Sequence, residues 1–363
     1  MKNTEKMDAK VRVIVIGCGN MGSSHARAYH KLDGFELVGL VDMNPDIRNQ
    51  LSEELGGIAQ FDNFDSALMM TKPDAVAVCT YPGTHAGLTL KALEAGAHVF
   101  CEKPLAPNIE DAQSMVDAAK KHSKKLVIGY ILRVHPSWEK FIEIARSLGK
   151  PLVMRMNLNQ QSSGKTWHTL RKIMESMSPI VDCGVHYVDI MCQMTKSKPV
   201  SVSAIGARLT DEIDKEMYNY GQLQVRFEDG SVGWYEAGWG PMMSEVAFFV
   251  KDVIGPKGCV NIMDAEQDSG KGSDDIDSHT KTNRLKVHYS EKDEKDEFTR
   301  PDEIINLEDE PDHQELCDLE QAFFLNAINE DADLSDHLED AVNSLKIVLA
   351  ADESFRTGKT IDL

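Results

Sequence analysis

The chain has 363 residues, 42% of them hydrophobic and 27% charged. That is enough apolar material for two domains with buried cores, and it excludes an intrinsically disordered chain. Lys and Arg number 39 against 59 Asp and Glu, a formal net charge of −20, which argues against broad nucleic-acid binding through a cationic face and against docking on an anionic membrane.

No apolar run approaches the roughly 18 residues of a membrane span. The polar opening, residues 1–10, lacks the pattern of a secretory signal. Seven scattered cysteines (Cys18, Cys79, Cys101, Cys183, Cys192, Cys259, Cys317) form no C-x-x-C pair. They read as reduced thiols of a cytoplasmic protein, and no ligand spacing points to a metal.

Along the first 131 residues, strands and helices alternate. Val11–Ile16 is a β-branched run typical of a buried strand. A glycine turn and a helix over 21–31 follow, then a strand at Glu36–Asp42 and a helix opened by Pro45 and running to Leu55. Ala75–Cys79 is a strand, a helix spans His85–Ala95, and Ala97–Cys101 is a strand. A helix over Asn108–His122 and a strand at Leu126–Tyr130 complete the set. Such alternation predicts an α/β domain, a doubly wound parallel sheet of the Rossmann kind, over residues 1–131.

The pattern then changes. A helix at Pro136–Leu148 leads to strands at Leu152–Asn159, Val200–Ala207, Tyr220–Phe227, Ser231–Gly238 and Val246–Val250. Glu228-Asp229-Gly230 is a tight-turn signal between two of them. A helix at Val181–Met194 interrupts, and two helices, Gln314–Asn329 and Leu338–Gly358, end the chain. Residues 132–363 are therefore predicted as an α+β domain with a mostly antiparallel sheet. Within it, 264–312 carries seventeen acidic and seven basic residues. This stretch reads as a solvated excursion between strands, with a partner-binding acidic loop as the sharper alternative.

Gly17-Cys18-Gly19-Asn20-Met21-Gly22 matches G-x-G-x-x-G between the first strand and first helix, and Asp42 lies 20 residues beyond Gly22. This is the full dinucleotide fingerprint. The helix N-terminus offers amides and positive dipole to a pyrophosphate. Asp42 is placed for ribose hydroxyls and would repel a 2′-phosphate, so NAD is favoured over NADP. Arg48 in the next helix is the cation that argues the other way.

Cys101-Glu102-Lys103-Pro104 closes a strand at the sheet end where ligands bind, which points Lys103 at the nicotinamide. Alone, Lys103 reads more readily as a surface lysine. Asp182 and His186, spaced i, i+4, share one helical face and suit proton transfer near neutral pH. The bland alternative is a satisfied buried pair. Asp189 reads as a structural or capping residue.

Together, the glycine fingerprint, Thr80 to His85, Glu102-Lys103-Pro104 and Asp182-x-x-x-His186 resemble the Gfo/Idh/MocA family, named after glucose–fructose oxidoreductase, inositol dehydrogenase and a rhizopine-catabolism protein. The resemblance runs over essentially the whole chain. It implies that Lys103, Asp182 and His186 are the catalytic set. It also implies that Thr80, Tyr81, Pro82, His85, Glu102 and Lys103 bind the cofactor, Tyr81 and Pro82 on the nicotinamide side, and that the second domain's open sheet packs against another subunit in a dimer or tetramer. The text Thr80-Tyr81-Pro82-Gly83-Thr84-His85 departs from the family's common T-P-N.

Tyr130, Asn157, Trp167, His168 and Tyr235 are candidate substrate contacts, with Gln160 and Trp239 nearby, because aromatic faces beside amides suit a sugar. Core or interface roles are the alternative for each aromatic. The expected function is NAD(P)-dependent oxidation of a secondary hydroxyl of a sugar, glycoside or cyclitol, or the reverse reduction. An NAD-assisted glycosidase and a non-enzymatic NAD-bound sensor are the rivals.

Overall fold

The computed structural model describes residues 10–245, 249–263, 272–273, 279–280, 282–307 and 310–363. The chain divides into two compact units. The first comprises the residues up to Gly129 together with Gln314–Glu339, and the second Tyr130–His313 with Asp340–Leu363. None of the seven cysteines forms a disulfide. Among the described residues, no helix is long and apolar enough to cross a membrane.

In the first unit, β1 (Val11–Ile16), β2 (Phe35–Val41), β3 (Gln60–Phe61), β4 (Ala75–Val78), β5 (His98–Glu102) and β6 (Leu126–Gly129) form a parallel sheet in the order β3-β2-β1-β4-β5-β6. Strands buried on both faces need continuous apolar runs, which Val13–Ile16 and Ala75–Val78 supply. The order reverses between β1 and β4, and such a switch point creates a ligand crevice at the strand C-termini.

The helices are α1 (Asn20–Lys31), α2 (Pro45–Glu54), α3 (Phe64–Thr71), α4 (Pro82–Glu94) and α5 (Ile109–His122). Asn44, Asn63 and Asn108 cap α2, α3 and α5 by accepting from Asp46 N, Ser66 N and Asp111 N. Neither β3 nor α3 stands out in the sequence.

The first division of the chain falls between Gly129 and Tyr130, where the sequence reading puts its boundary after residue 131. Placing everything beyond it in the second domain does not hold. Helix α10 (His313–Asn329) brings Phe324 and Ala327 into the core of the first unit with Phe35, Phe100 and Tyr29, and Leu334 joins them. Phe324 stacks on Phe35 at 6.3 Å and meets Phe100 at 6.2 Å. The physical reason is burial: these large apolar side chains complete the core beneath β1, β2 and β5.

The second unit is built on nine strands in the order β14-β13-β12-β11-β7-β10-β9-β8-β15. They are β7 (Val153–Gln161), β8 (Pro199–Ala207), β9 (Tyr220–Phe227), β10 (Val232–Gly240), β11 (Lys251–Gly255), β12 (Gly258–Met263), β13 (Arg284–Tyr289), β14 (Glu303–Asn306) and β15 (Ile361–Asp362). Pairing is antiparallel except between β7 and β10, where Tyr235 lies opposite Met156.

Helices α6 (Pro136–Ser147), α7 (Gly164–Ile173), α8 (Pro179–Asp182) and α9 (Gly184–Thr195) precede the β8 strand, and α11 (Ser335–Thr357) ends in this unit. Trp138, Phe141, Tyr187 and Tyr235 form an aromatic chain in its core, with centroid separations of 5.1–6.0 Å.

Three expectations change here. The helix expected at Val181–Met194 is two helices meeting at Cys183. The acidic stretch 264–312 is not merely an excursion, because β13 and β14 lie within it and extend the sheet through Leu285, Val287 and Ile305. The strand expected at Val246–Val250 falls largely outside the described residues, and the next strand begins at Lys251.

Candidate active site

In the first unit, β1 ends in a turn that enters α1. Gly17 has φ +87°, and a Cβ there would lie 2.3 Å from Cys79 O. A Cβ on Gly22 would lie 1.7 Å from Gly17 O. Both positions therefore require glycine for the chain to close on itself. Gly19 differs: a Cβ there would meet nothing within 4 Å. It is the N-cap of α1, with no side-chain cap and no acidic residue in the first turn. The helix thus presents free amides and its positive dipole end to open space, a fit for a pyrophosphate.

Beside this cradle, Asp42 Oδ2 accepts from Cys18 N at 2.7 Å and Oδ1 from Asn44 N at 2.8 Å. Two amides orient the carboxylate and leave its remaining lone pairs for ribose hydroxyls. Arg48 is turned onto the carbonyl of Asp42 and onto Gln60 Oε1. Burial and the Asp42 charge push the Cys18 thiol up to about 12, so it stays protonated and inert.

At the end of β4, Thr80 Oγ1 meets Thr84 Oγ1 at 2.7 Å, Pro82 opens α4, and Tyr81 is 78% exposed. His85 and Glu102, both expected to touch the cofactor, also have partners within the protein. His85 is fully buried, with Nδ1 3.0 Å from Pro104 O and Nε2 3.0 Å from Thr80 O, so it ties two loops together. Burial lowers its pKa despite these carbonyl partners. Glu102 is buried, with Oε1 2.6 Å from His25 Nε2, and its Oε2 accepts from Lys103 N at 3.1 Å. Burial alone would raise its pKa, but His25 and the Lys103 charge bring it below the usual carboxylate value. Lys103 itself is half-buried on the turn into Pro104.

In the second unit, Asp182 is the last residue of α8 and His186 lies in the first turn of α9, both half-buried. Cys183 Sγ is 3.7 Å from Asp182 Oδ2 and 3.9 Å from Gln160 Oε1. Ser178 caps α8 by accepting from Val181 N. Asp352 and Tyr218 hold that cap: Ser178 Oγ donates to Asp352 Oδ1 at 2.7 Å, and Tyr218 OH lies 2.5 Å from the same oxygen. Burial raises the Asp352 pKa, against the lowering effect of these two bonds. Sequence reasoning missed Asp352, which has no local signal. Asp189 forms a bidentate pair with Arg133 (2.8 and 2.5 Å), the structural role expected of it.

The substrate candidates divide. Tyr130 is buried, its hydroxyl on Ser344 at 2.9 Å, with the Arg133 guanidinium over its ring and the His186 ring 5.9 Å away. It supports His186 and presents no open face. Asn157 is also buried, and its Oδ1 accepts from Val250 N, so it serves strand pairing. Tyr235 is fully buried against Tyr187. Trp167 packs with Leu170, Met174, Ile213 and Trp239 in a small separate cluster, while His168 is exposed on α7. Lys251 was not anticipated: it is buried between the Tyr187 and Phe249 rings and donates to Asn157 O.

Two family models match this chain: "Oxidoreductase family, NAD-binding Rossmann fold" over residues 11–130, and "GFO/IDH/MocA C-terminal domain" over 144–258. The chain is 28% identical over 230 residues to a myo-inositol 2-dehydrogenase of Thermotoga maritima, covering 61% of this chain and 67% of that protein. It is 32% identical over 183 residues to a D-glucoside 3-dehydrogenase of Escherichia coli, covering 49% and 52%. The matches thus span a half to two-thirds of these relatives. A solved NAD-binding oxidoreductase from Klebsiella pneumoniae shares the fold, with a TM-score of 0.78 at 20% identity over 98% of this chain and 99% of that one. With the dinucleotide turn and the nine-stranded sheet in place, the chain belongs to the Gfo/Idh/MocA oxidoreductase family, with an NAD-binding Rossmann unit and the family's C-terminal domain.

Proposed function

We propose that this protein is an NAD-dependent dehydrogenase that converts a secondary hydroxyl of a sugar, glycoside or cyclitol to a ketone, or the reverse. The observation that carries this is the open, uncapped helix terminus at Gly19 beside an amide-oriented Asp42 carboxylate. The relatives named as inositol and glucoside dehydrogenases support the substrate class. NAD rather than NADP fits Asp42, because Arg48 is engaged elsewhere. Gly17 to Gly22 and Asp42 would hold the adenosine and pyrophosphate half, with Thr80, Tyr81 and Pro82 on the nicotinamide side.

Bound NAD supplies the hydride acceptor. His186 takes the proton of the reacting hydroxyl, and Asp182 orients the substrate and the imidazole. Lys103 polarises the reacting oxygen and stabilises its developing negative charge. Its backbone is set by Glu102. Tyr130 and the Ser178 cap set by Asp352 and Tyr218 steady the α8–α9 region.

A homo-oligomer through the second sheet fits an apolar outer patch in which Val153 lies opposite both Val232 and Ile254, each 38–39% exposed. Seven cysteines outside any disulfide fit a cytoplasmic location. The test is turnover by Lys103→Ala and His186→Ala: each loses most activity while still binding NAD. Wild-type turnover in either variant refutes the assignment. Release of an aglycone with no net NADH would favour the glycosidase reading instead.

A further inference from the structure

A buried polar chain crosses the first unit from α10 to the Lys103 turn. Gln321 on α10 donates from Nε2 to His25 Nδ1 at 2.8 Å. His25 on α1 meets Glu102 Oε1 through Nε2 at 2.6 Å. Glu102 at the end of β5 then accepts from Lys103 N through Oε2 at 3.1 Å. His25 and Gln321 are fully buried, and Glu102 is 5% exposed. Phe100 closes one side of the imidazole at 4.7 Å.

Cys317 and Glu320 also face this point: their ligand atoms and those of His25 lie within 4.8 Å of one another. Both ring nitrogens of His25 are already engaged, however, so His25 belongs to a hydrogen-bond relay and offers no open nitrogen to a metal.

A neutral imidazole has one donor and one acceptor. Because the Gln321 amide donates to Nδ1, the proton sits on Nε2, facing the carboxylate. The Gln321 amide and the Glu102 carboxylate thus select the same tautomer, and that carboxylate grips the backbone of the residue whose ammonium is assigned to the reacting oxygen. Second-layer contacts of this kind fix the rotamers of functional groups.

We propose that His25 and Gln321 are positioning residues for Lys103, acting through Glu102. The inference rests on the catalytic role assigned to Lys103 above. Removing the Gln321 donor leaves the buried Nδ1 without this partner and frees the imidazole to shift. A displaced imidazole draws the Glu102 carboxylate with it, and the grip of Glu102 on the Lys103 turn is weakened. His25 lies on the same helix whose first turn forms the dinucleotide cradle, so the Lys103 turn is anchored to the element that binds cofactor.

The test uses purified full-length protein with NAD bound. Gln321→Met keeps the side-chain volume and removes the donor. It lowers kcat by about tenfold or more, since displacements near 1 Å can cost about a hundredfold, and it leaves substrate KM and NAD affinity within about twofold. A second pair, His25→Gln and His25→Leu, separates positioning from packing: glutamine retains a donor to Glu102 and keeps severalfold more kcat than leucine.

The rate at which acetic anhydride labels Lys103, read by mass spectrometry, changes in Gln321→Met and His25→Leu. That readout needs no turnover, so it decides the inference even if no polyol proves to be a substrate. Unchanged labelling of Lys103 in both variants overturns the proposal. So does equal loss of kcat in the two His25 variants.

Discussion

Gly19→Ala separates folding from cofactor binding. The added methyl meets no protein atom within 4 Å, and Gly19 has φ −68° and ψ −165°, an extended conformation open to alanine. The fold should therefore not suffer. Replacing glycine at a compatible position stabilises by about 0.4–1 kcal/mol through the unfolded chain, worth about 2–4 °C or less in Tm for a unit of this size. NAD should be affected in the opposite sense, because the methyl occupies the space through which a pyrophosphate approaches the backbone. A hundredfold loss of affinity, about 2.7 kcal/mol, is the expected scale. Differential scanning fluorimetry reads the first effect and calorimetric NAD titration the second. Gly22→Ala is the control: its Cβ would sit 1.7 Å from Gly17 O, so it lowers Tm sharply. Wild-type NAD affinity in folded Gly19→Ala refutes the placement of the cofactor.

Asp42→Ala should weaken NAD by about tenfold to a hundredfold, the scale of one or two charge-assisted hydrogen bonds, and weaken NADP far less; equal losses in fluorescence titrations contradict the ribose assignment. Glu320 is buried beside Glu102, and burial raises its pKa well above the ordinary 4.5. Its share of stability is intact below that value and is lost as pH rises toward the folded pKa. Glu320→Gln should therefore gain Tm over wild type increasingly from pH 5 to pH 8, whereas a pH-independent gap refutes this. Asp352→Ala strips two bonds from the α8 cap and should cost about 2–4 kcal/mol in urea unfolding; no loss of stability would show that the cap stands without it.

What was legible in the sequence was local. The β-branched run of β1, the three glycines and Asp42 lie within 32 residues, and each has a backbone reason to be what it is. Asp189 read correctly as structural. Information carried by distant pairings was not legible. Nothing near Phe324 says that it packs on Phe35, 289 residues earlier, yet that contact assigns α10 to the first unit. The parallel pairing of β7 with β10 is equally hidden, because both strands carry ordinary alternating patterns. His85 and Glu102 looked available to a cofactor from motif position alone. Their partners, Thr80 O and Pro104 O for one and His25 and Lys103 N for the other, take up their polar atoms. The acidic stretch hid its strands because Leu285, Val287 and Ile305 are diluted among charges.

The most direct measurement is absorbance of reduced nicotinamide when purified protein with NAD is given pools of inositols, free sugars and glycosides. A rise with one pool, absent in Lys103→Ala and His186→Ala proteins that still bind NAD, is the predicted result. Confirmed NAD binding with no reduced nicotinamide from any pool would contradict a dehydrogenase of sugars or cyclitols.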